Sequence, residues 1–237
     1  MLALPSEARR PDTPGWQVRV VPNKYPAFDH QEVVIHSPEH RRSIAELDDG
    51  HLELLAEAWR LRSEAARESG YPYVFAGINE GRAAGASLQH THSQLIWLRD
   101  EPPAAAGEHV EGDCRLCEYL RREQNGGTRV VEERDGLVLL CPFASRSPYE
   151  CLVAPLDHEP HGFASERLGA ALALAADALR RLHAVDEPRP ANLWLHEAGH
   201  WHLEVLPRLS VFAAVELGSG LYVNTLAPEE AAQALRG

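Results

Sequence analysis

The sequence predicts an α+β fold made of two tandem units, each an antiparallel sheet with one amphipathic helix. Two observations support this prediction. Two long segments with apolar residues at helical spacing are each surrounded by short β-rich segments. The same order of turn, strand, histidine motif, helix and strand also occurs twice along the 237 residues. The repeated order indicates two related halves in one chain.

The first half is predicted to span residues 1–99. Its helix covers residues 49–69, where Leu52, Leu55 and Trp59 share one face and Gly70 follows as a natural stop. The predicted strands around this helix lie at residues 18–21, 32–35, 73–78 and 92–98.

The second half is predicted to span residues 128–237, with its helix over residues 165–183. Its predicted strands lie at residues 137–141, 149–154, 192–196 and 202–206. Residues 100–127, which are rich in Pro, Ala and Gly and contain a Cys-x-x-Cys pair, join the two halves.

Composition and charge exclude several classes of protein. A formal charge of −12 and a pI near 5.5 count against a protein that wraps nucleic acid. The sequence contains no apolar run of the ~20 residues that a membrane helix needs. Residues 1–15 lack the apolar core of a secretory signal, so the expected compartment is the cytoplasm.

The most informative segment is residues 79–94, which ends in a His-x-His-x-Gln pattern. On a strand, His90, His92 and Gln94 would face the same side. The preceding residues form a small-residue loop, whose backbone N–H groups could approach a phosphate. A neutral imidazole can attack phosphorus, and a neutral amide can donate to the phosphate oxygens. This pattern therefore suits phosphorus chemistry, and the alternative is a strand that faces solvent, with a structural histidine pair or the remnant of a metal site.

With these motifs the chain resembles the galactose-1-phosphate uridylyltransferase branch of the histidine-triad (HIT) superfamily. The matching segments are residues 19–28, 87–94, 153–158 and 200–208 and the Pro-Glu-Glu-Ala-Ala of the C-terminus. The resemblance implies two tandem HIT-like units and a covalent nucleotidyl-histidine at His92. It also implies that substrate contacts come from Asn23, Asn79, Ser87, Gln94 and Glu216.

A second signal is Cys114-Arg-Leu-Cys117, because a Cys-x-x-Cys turn supplies two thiolates to a tetrahedral zinc. The repeated order of motifs nominates His158 and His200 as the other two ligands. A closed Cys₂His₂ site would be structural rather than catalytic. The alternative is a reduced turn without metal.

The chain departs from the family where a further Cys-x-x-Cys usually precedes the Asn-Lys-Tyr-Pro region. No cysteine precedes Cys114, so His40 and His90 would form only an incomplete first metal site. We expect either a translation start placed too far downstream, with a truncated N-terminus, or the loss of this site. The stretch at residues 215–224 has a Gly-x-Gly form that looks more like nucleotide-sugar phosphorylases.

Three functions follow from the sequence. The first is transfer of UMP from UDP-glucose to a hexose 1-phosphate, as in galactose metabolism. The second uses phosphate as the acceptor, with ADP-glucose or a dinucleoside polyphosphate as the donor. The third is an inactive nucleotide-binding module. The resemblance further implies a homodimer; the expected partners are a nucleotide sugar and a sugar phosphate, with no nucleic acid and no membrane.

Overall fold

One sheet of ten strands runs through the part of the chain that the computed structural model describes, residues 1–4, 15–108 and 114–237. The strands are β1 Leu2–Ala3, β2 Val18–Pro22, β3 His30–Ile35, β4 Tyr73–Glu80, β5 His92–Leu98, β6 Val130–Arg134, β7 Leu137–Leu140, β8 Cys151–Pro155, β9 Ala191–His196 and β10 His202–Pro207. Neighbouring strands are antiparallel, except that β1 runs parallel to β2.

Six α-helices occur in the described residues. They are α1 Asp49–Glu68, α2 Pro103–Ala106, α3 Arg115–Gly126, α4 Leu168–Val185, α5 Ala214–Ser219 and α6 Pro228–Arg236. The N-cap of helix α1 is Asp48, whose carboxylate accepts a hydrogen bond from the His51 N–H at 2.9 Å. The helix ends before Gly70, whose φ of +83° is a conformation that glycine adopts without strain.

The core lies between the sheet and the pair of long helices. Helices α1 and α4 pack against each other, and their buried apolar residues join those of the strands in one continuous cluster. Helix α3 packs through Leu120 against a smaller cluster that contains Val138, Leu140 and Leu152. Because Leu137 and Leu139 belong to the main cluster, strand β7 is covered on both of its faces.

The strand order is β1-β2-β3-β5-β4-β9-β10-β8-β7-β6. Around the central pair β4 and β9, the series β3, β5, β4 on one side corresponds to β8, β10, β9 on the other. In each series the long helix lies in sequence between the first strand and the last two. The histidine motifs at the starts of β5 and β10 thus occupy corresponding places in one sheet.

The predicted α+β class is confirmed, and each of the eight predicted strands and both long helices occurs within a few residues of its expected bounds. The sequence did not predict β1, β6 and the four shorter helices. Two of these helices, α2 and α3, lie within the predicted joining segment, residues 100–127. No helix in the described ranges is both long and apolar enough to span a membrane.

Candidate active site

Strand β5 presents two of the predicted site residues on one face of the sheet. His92 and Gln94 are two positions apart, so they project to the same side. The intervening Ser93 faces the helices, where its Oγ accepts a hydrogen bond from Trp59 Nε1 at 2.9 Å. The candidate site therefore lies on the face of the sheet opposite α1.

His92 has one ring nitrogen fixed and the other available for chemistry. Its Nδ1 lies 2.8 Å from the His90 carbonyl oxygen. A carbonyl oxygen only accepts, so the neutral ring carries its proton on Nδ1 and its lone pair on Nε2. The side chain is 5% exposed. The geometry thus presents Nε2 as a nucleophile in a nearly water-free position.

The His40 and His90 rings lie next to each other, as the predicted incomplete metal site requires. Their centroids are 5.4 Å apart, and His90 Nε2 donates a hydrogen bond to the Ser37 carbonyl at 2.8 Å. Among residues 1–4, 15–108 and 114–237, no third cysteine, histidine or carboxylate completes a group of three with them. Two imidazoles alone hold a metal weakly.

The small-residue loop after β4 borders a cavity of about 510 Å³. Gly81 and Gly85 have φ values of +79° and +87°, and a Cβ on Gly81 would lie 3.0 Å from the Pro190 ring. Ser87, Arg42 and Arg82 line the cavity. Two guanidinium groups beside glycine-rich backbone suit an anionic ligand such as a diphosphate.

Two amides that the sequence did not single out lie behind Gln94 and Asn79. Gln31 Nε2 donates a hydrogen bond to Gln94 Oε1 at 2.5 Å. Asn192 Nδ2 donates to Asn79 Oδ1 at 2.7 Å. The residues of these pairs are 63 and 113 positions apart. Only the register of the strands brings them together, so no local sequence pattern could reveal them.

The four predicted zinc ligands converge in the second half of the chain. The ligand atoms of Cys114, Cys117, His158 and His200 all lie within 4.8 Å of one another. Cys117 Sγ is 3.2 Å from His200 Nδ1 and 3.5 Å from His158 Nδ1. Bond lengths to zinc of 2.3 Å for sulfur and 2.0–2.1 Å for nitrogen place tetrahedral S and N ligands about 3.5 Å apart. The donor set and its spacing fit such an ion.

Neighbouring groups prepare these ligands for a cation. His200 Nε2 donates a hydrogen bond to the Pro155 carbonyl at 3.0 Å, so the lone pair of the neutral ring is on Nδ1 and faces the sulfur atoms. Burial lowers the pKa of His200 to about 4, which keeps the ring neutral. Burial raises the pKa of the Cys117 thiol, so a metal would displace its proton on binding.

Two other predicted site residues are engaged in local structure. Asn23 follows β2 and accepts a hydrogen bond from the Tyr25 N–H at 2.9 Å through its side chain, which is turn chemistry. Glu216 lies in the short helix α5, not on a strand, and accepts from the Ala213 N–H at 2.8 Å. No hydrogen bond among the described residues joins either side chain to His92, Gln94 or Asn79.

A second group of titratable residues, which the sequence analysis did not predict, surrounds His196 on β9. His196 Nδ1 is 3.0 Å from Glu108 Oε1, and His196 Nε2 is 2.8 Å from Glu204 Oε1. Burial opposes the charge, but these two carboxylates raise the pKa of His196 to about 9. Arg146 also contacts Glu204. The group is a charged network around a protonated imidazole.

Comparison with known proteins adds to this geometry. The family model of the galactose-1-phosphate uridyl transferase N-terminal domain matches residues 24–103. ADP-glucose phosphorylase of Arabidopsis thaliana is 28% identical over 280 aligned positions, covering 98% of this chain and 78% of that protein. Galactose-1-phosphate uridylyltransferase of Thermotoga maritima is 26% identical, covering 98% of this chain and 81% of that protein. The solved structure of the Arabidopsis ADP-glucose phosphorylase with bound ADP-glucose superposes with a TM-score of 0.83 at 26% identity, covering 95% of this chain and 83% of that one.

Proposed function

The chain belongs to the galactose-1-phosphate uridylyltransferase branch of the histidine-triad superfamily, and we propose that it transfers a nucleoside monophosphate by way of a covalent nucleotidyl-histidine at His92. The observation that carries this proposal is the hydrogen bond from His92 Nδ1 to the His90 carbonyl, which leaves Nε2 as the free nucleophile.

In the first half-reaction, His92 Nε2 attacks the α-phosphorus of a nucleotide sugar. The Nε2–P bond forms while the bond from phosphorus to the bridging oxygen breaks, and the sugar 1-phosphate leaves with that electron pair. The Nδ1–H of the imidazolium remains bonded to the His90 carbonyl, which stabilises the positive charge on the ring. A phosphate oxygen of the acceptor then attacks the same phosphorus and releases His92.

Gln94 and Asn79 are the proposed donors to the non-bridging oxygens. Gln94 shares the face of β5 with His92, and Asn79 lies one step beyond the Ile78–Ser93 pair, opposite His92. Ser87, Arg42 and Arg82, which line the cavity beside the loop after β4, are further proposed contacts to the diphosphate. We retain Asn23 and Glu216 as proposed contacts to the nucleoside and the sugar.

Two donor and acceptor pairs are compatible with this chemistry. The first is UMP transfer from UDP-glucose to a hexose 1-phosphate, which the relative from Thermotoga maritima supports. The second is phosphorolysis of ADP-glucose, which the Arabidopsis thaliana relative supports over almost the whole chain. Both exchange one phosphoanhydride for another, so neither needs a large driving force. His92 performs the same step in each.

We also propose that Cys114, Cys117, His158 and His200 hold a zinc ion. The ion would bind the start of α3 to the loop after β8 and the turn before β10, and so stabilise the second half without taking part in the transfer. His40 and His90 remain the candidates for an incomplete first site.

The corresponding strand orders support a duplication of one HIT-like unit. Under this proposal residues 1–99 form the half that carries the nucleophile, residues 100–127 join the halves, and residues 128–237 form the second half. The proposed assembly is a homodimer. Its support is the apolar surface at residues 211–223, where Val211, Leu217 and Leu221 are 89%, 78% and 69% exposed.

The test is to incubate the protein with UDP-glucose or ADP-glucose, without acceptor, and to measure the intact mass. We expect an added UMP or AMP that is absent from His92→Gln, and His161→Gln, which changes an exposed histidine, serves as the matched control. The base of the adduct identifies the donor, and release by galactose 1-phosphate or by inorganic phosphate identifies the acceptor. No adduct from either donor would indicate a nucleotide-binding module.

A further inference from the structure

The amides of Gln94 and Asn79 can serve a phosphate only in one of their two orientations. An amide has an NH₂ end that donates and an oxygen end that accepts, and rotation by 180° exchanges them at almost no steric cost. A phosphate oxygen needs the NH₂ end, and an amide oxygen in its place would repel it. Something in the protein must therefore select the orientation at both positions.

At Gln94 the orientation is determined by a chain of hydrogen bonds that begins at a backbone group. The Ala27 N–H can only donate, so the side-chain atom of Gln31 that lies 2.9 Å away must be Oε1. The other end of Gln31 is then its NH₂ group, which lies 2.5 Å from the Gln94 side chain. The Gln94 atom in this contact must be the oxygen, so the NH₂ group of Gln94 is left for a ligand.

At Asn79 a second chain of hydrogen bonds gives the same result. The Ala84 carbonyl can only accept, so the atom of Asn192 at 2.8 Å must be its NH₂ group. This NH₂ group also lies 2.7 Å from the Asn79 side chain, which must present its oxygen there. The NH₂ group of Asn79 is again left for a ligand. Through the Ala84 carbonyl, Asn192 also holds the loop that borders the cavity.

The strand register explains why Gln31 and Asn192 can act in this way. Gln31 pairs with Ile96 on β5, which makes it a diagonal neighbour of Gln94 on the same face. Asn192 pairs directly with Asn79 across the central strands β9 and β4. Gln31 is 9% exposed, so water competes little for its hydrogen bonds.

We infer that Gln31 and Asn192 are positioning residues that fix Gln94 and Asn79 with their NH₂ groups directed at the phosphates of the nucleotide. This inference rests on the proposed function. Neither residue touches the substrate. Gln31 acts through the Gln94 amide, and Asn192 acts through the Asn79 amide. Asn192 lies on β9, in the second half of the chain, whereas Asn79 lies on β4, in the first. The pre-set donors need no reorientation when charge develops on the phosphate oxygens.

The experiment measures the rate at which the His92 adduct forms in a single turnover. The donor is a nucleotide sugar in which sulfur replaces one non-bridging oxygen of the α-phosphate. This replacement creates two diastereomers, and each is tested separately. Sulfur is a weak acceptor, so the donor that faces it loses its contact. We expect a clear preference for one diastereomer in the wild type. Gln94→Ala and Asn79→Ala should each change this preference by removing a donor.

Gln31→Leu and Asn192→Leu keep the amides of Gln94 and Asn79 but remove the hydrogen bonds that fix their orientation. We expect adduct formation to slow by roughly 10- to 100-fold, as when a donor to the transition state is lost. We also expect Gln31→Leu to show the same diastereomer preference as Gln94→Ala. Likewise, Asn192→Leu should show the same preference as Asn79→Ala. A residue that only maintained the fold would slow both diastereomers equally.

The matched controls are Gln124→Leu and Asn125→Leu on the exposed face of α3, which should keep the wild-type rate and preference. If Gln31→Leu and Asn192→Leu still form the adduct with the wild-type diastereomer preference, the inference is overturned and the proposed function stands. The absence of any adduct from the wild type, with sulfur or oxygen donors, would overturn both.

Discussion

At the residue scale, Glu80 is a buried carboxyl next to the candidate site. It ends β4, immediately before Gly81, and its Oε1 accepts a hydrogen bond from the Ile44 N–H at 2.7 Å. This contact holds the segment that carries Arg42 and His40. Burial raises the pKa of Glu80 to about 7, although hydrogen bonds from Ser43 and Ile44 oppose the shift. The carboxyl therefore titrates in the folded protein near neutral pH.

The sign of the resulting pH dependence follows from this raised pKa. Between about pH 4.5 and pH 7 the unfolded chain loses the Glu80 proton while the folded protein keeps it, so stability falls as the pH rises. We predict that Glu80→Gln, which imitates the protonated form, removes this loss. At about 1.4 kcal/mol per pKa unit, the variant should gain on the order of 3 kcal/mol over the wild type between pH 5 and pH 8.

Urea denaturation of both proteins across this pH range measures the difference in the free energy of unfolding. Glu68→Gln is the control, because it changes an exposed carboxyl at the end of α1. A difference between wild type and Glu80→Gln that does not change with pH would contradict the prediction.

The residues of the site differ in how far the sequence could reveal them. The period of two on a strand predicts that His92 and Gln94 share a face, and the structure has them so. Gln31 and Asn192 carry no such signal, because their partners are set by pairing between strands that are distant in sequence. A single sequence contains the local period but not the long-range register.

At the element scale, helix α3 depends on groups outside itself. Cys114 is its N-cap, and Cys117 lies in its first turn. The helix packs through Leu120 on its apolar face, but an isolated helix of 12 residues is only marginally stable in water, so α3 depends on its tertiary contacts. The four converging ligands would link this helix to β8 and β10 through a metal ion.

We predict one equivalent of zinc in the purified protein and a marked loss of stability when it is removed. A loss of about 3 kcal/mol would lower the Tm by roughly 6–12 °C in a chain of this length. Elemental analysis measures the metal, and thermal unfolding with and without a chelator measures the loss. His158→Ala should lack the metal, whereas His161→Ala, an exposed histidine three positions away, should retain it. Full stability without metal would contradict the prediction.

Long elements were predictable because their apolar period is repeated many times. Helix α1 buries Leu52, Leu55 and Trp59 at helical spacing, and the predicted span differs from the observed one by a single residue. The short helices α2 and α5 have four and six residues, which is too few for a period to appear. Strand β6 lies at the edge of the sheet with an irregular register, and only one of its five residues is buried.

At the scale of the whole molecule, the C-terminal segment leaves apolar surface uncovered. Helix α5 has no buried residue, and apolar side chains before, within and after it are exposed. Phe212 and Tyr222 pack against each other with ring centroids 5.1 Å apart, which holds the two ends of the segment together. An exposed apolar surface of this kind is typical of a protein–protein interface. A second copy of the chain is the proposed partner.

We predict that Leu217→Lys converts a dimer into a monomer without unfolding it. Leu217 is 78% exposed in the isolated chain, so the change removes little internal contact, but a dimer interface would have to bury the new charge. Sedimentation equilibrium measures the mass, and urea denaturation tests the fold. Val185→Lys is the matched control, because Val185 is also exposed but lies at the end of α4, where a cation is favourable. A wild-type protein that remains monomeric at micromolar concentration would contradict the prediction, and the apolar surface at residues 211–223 would then need another partner.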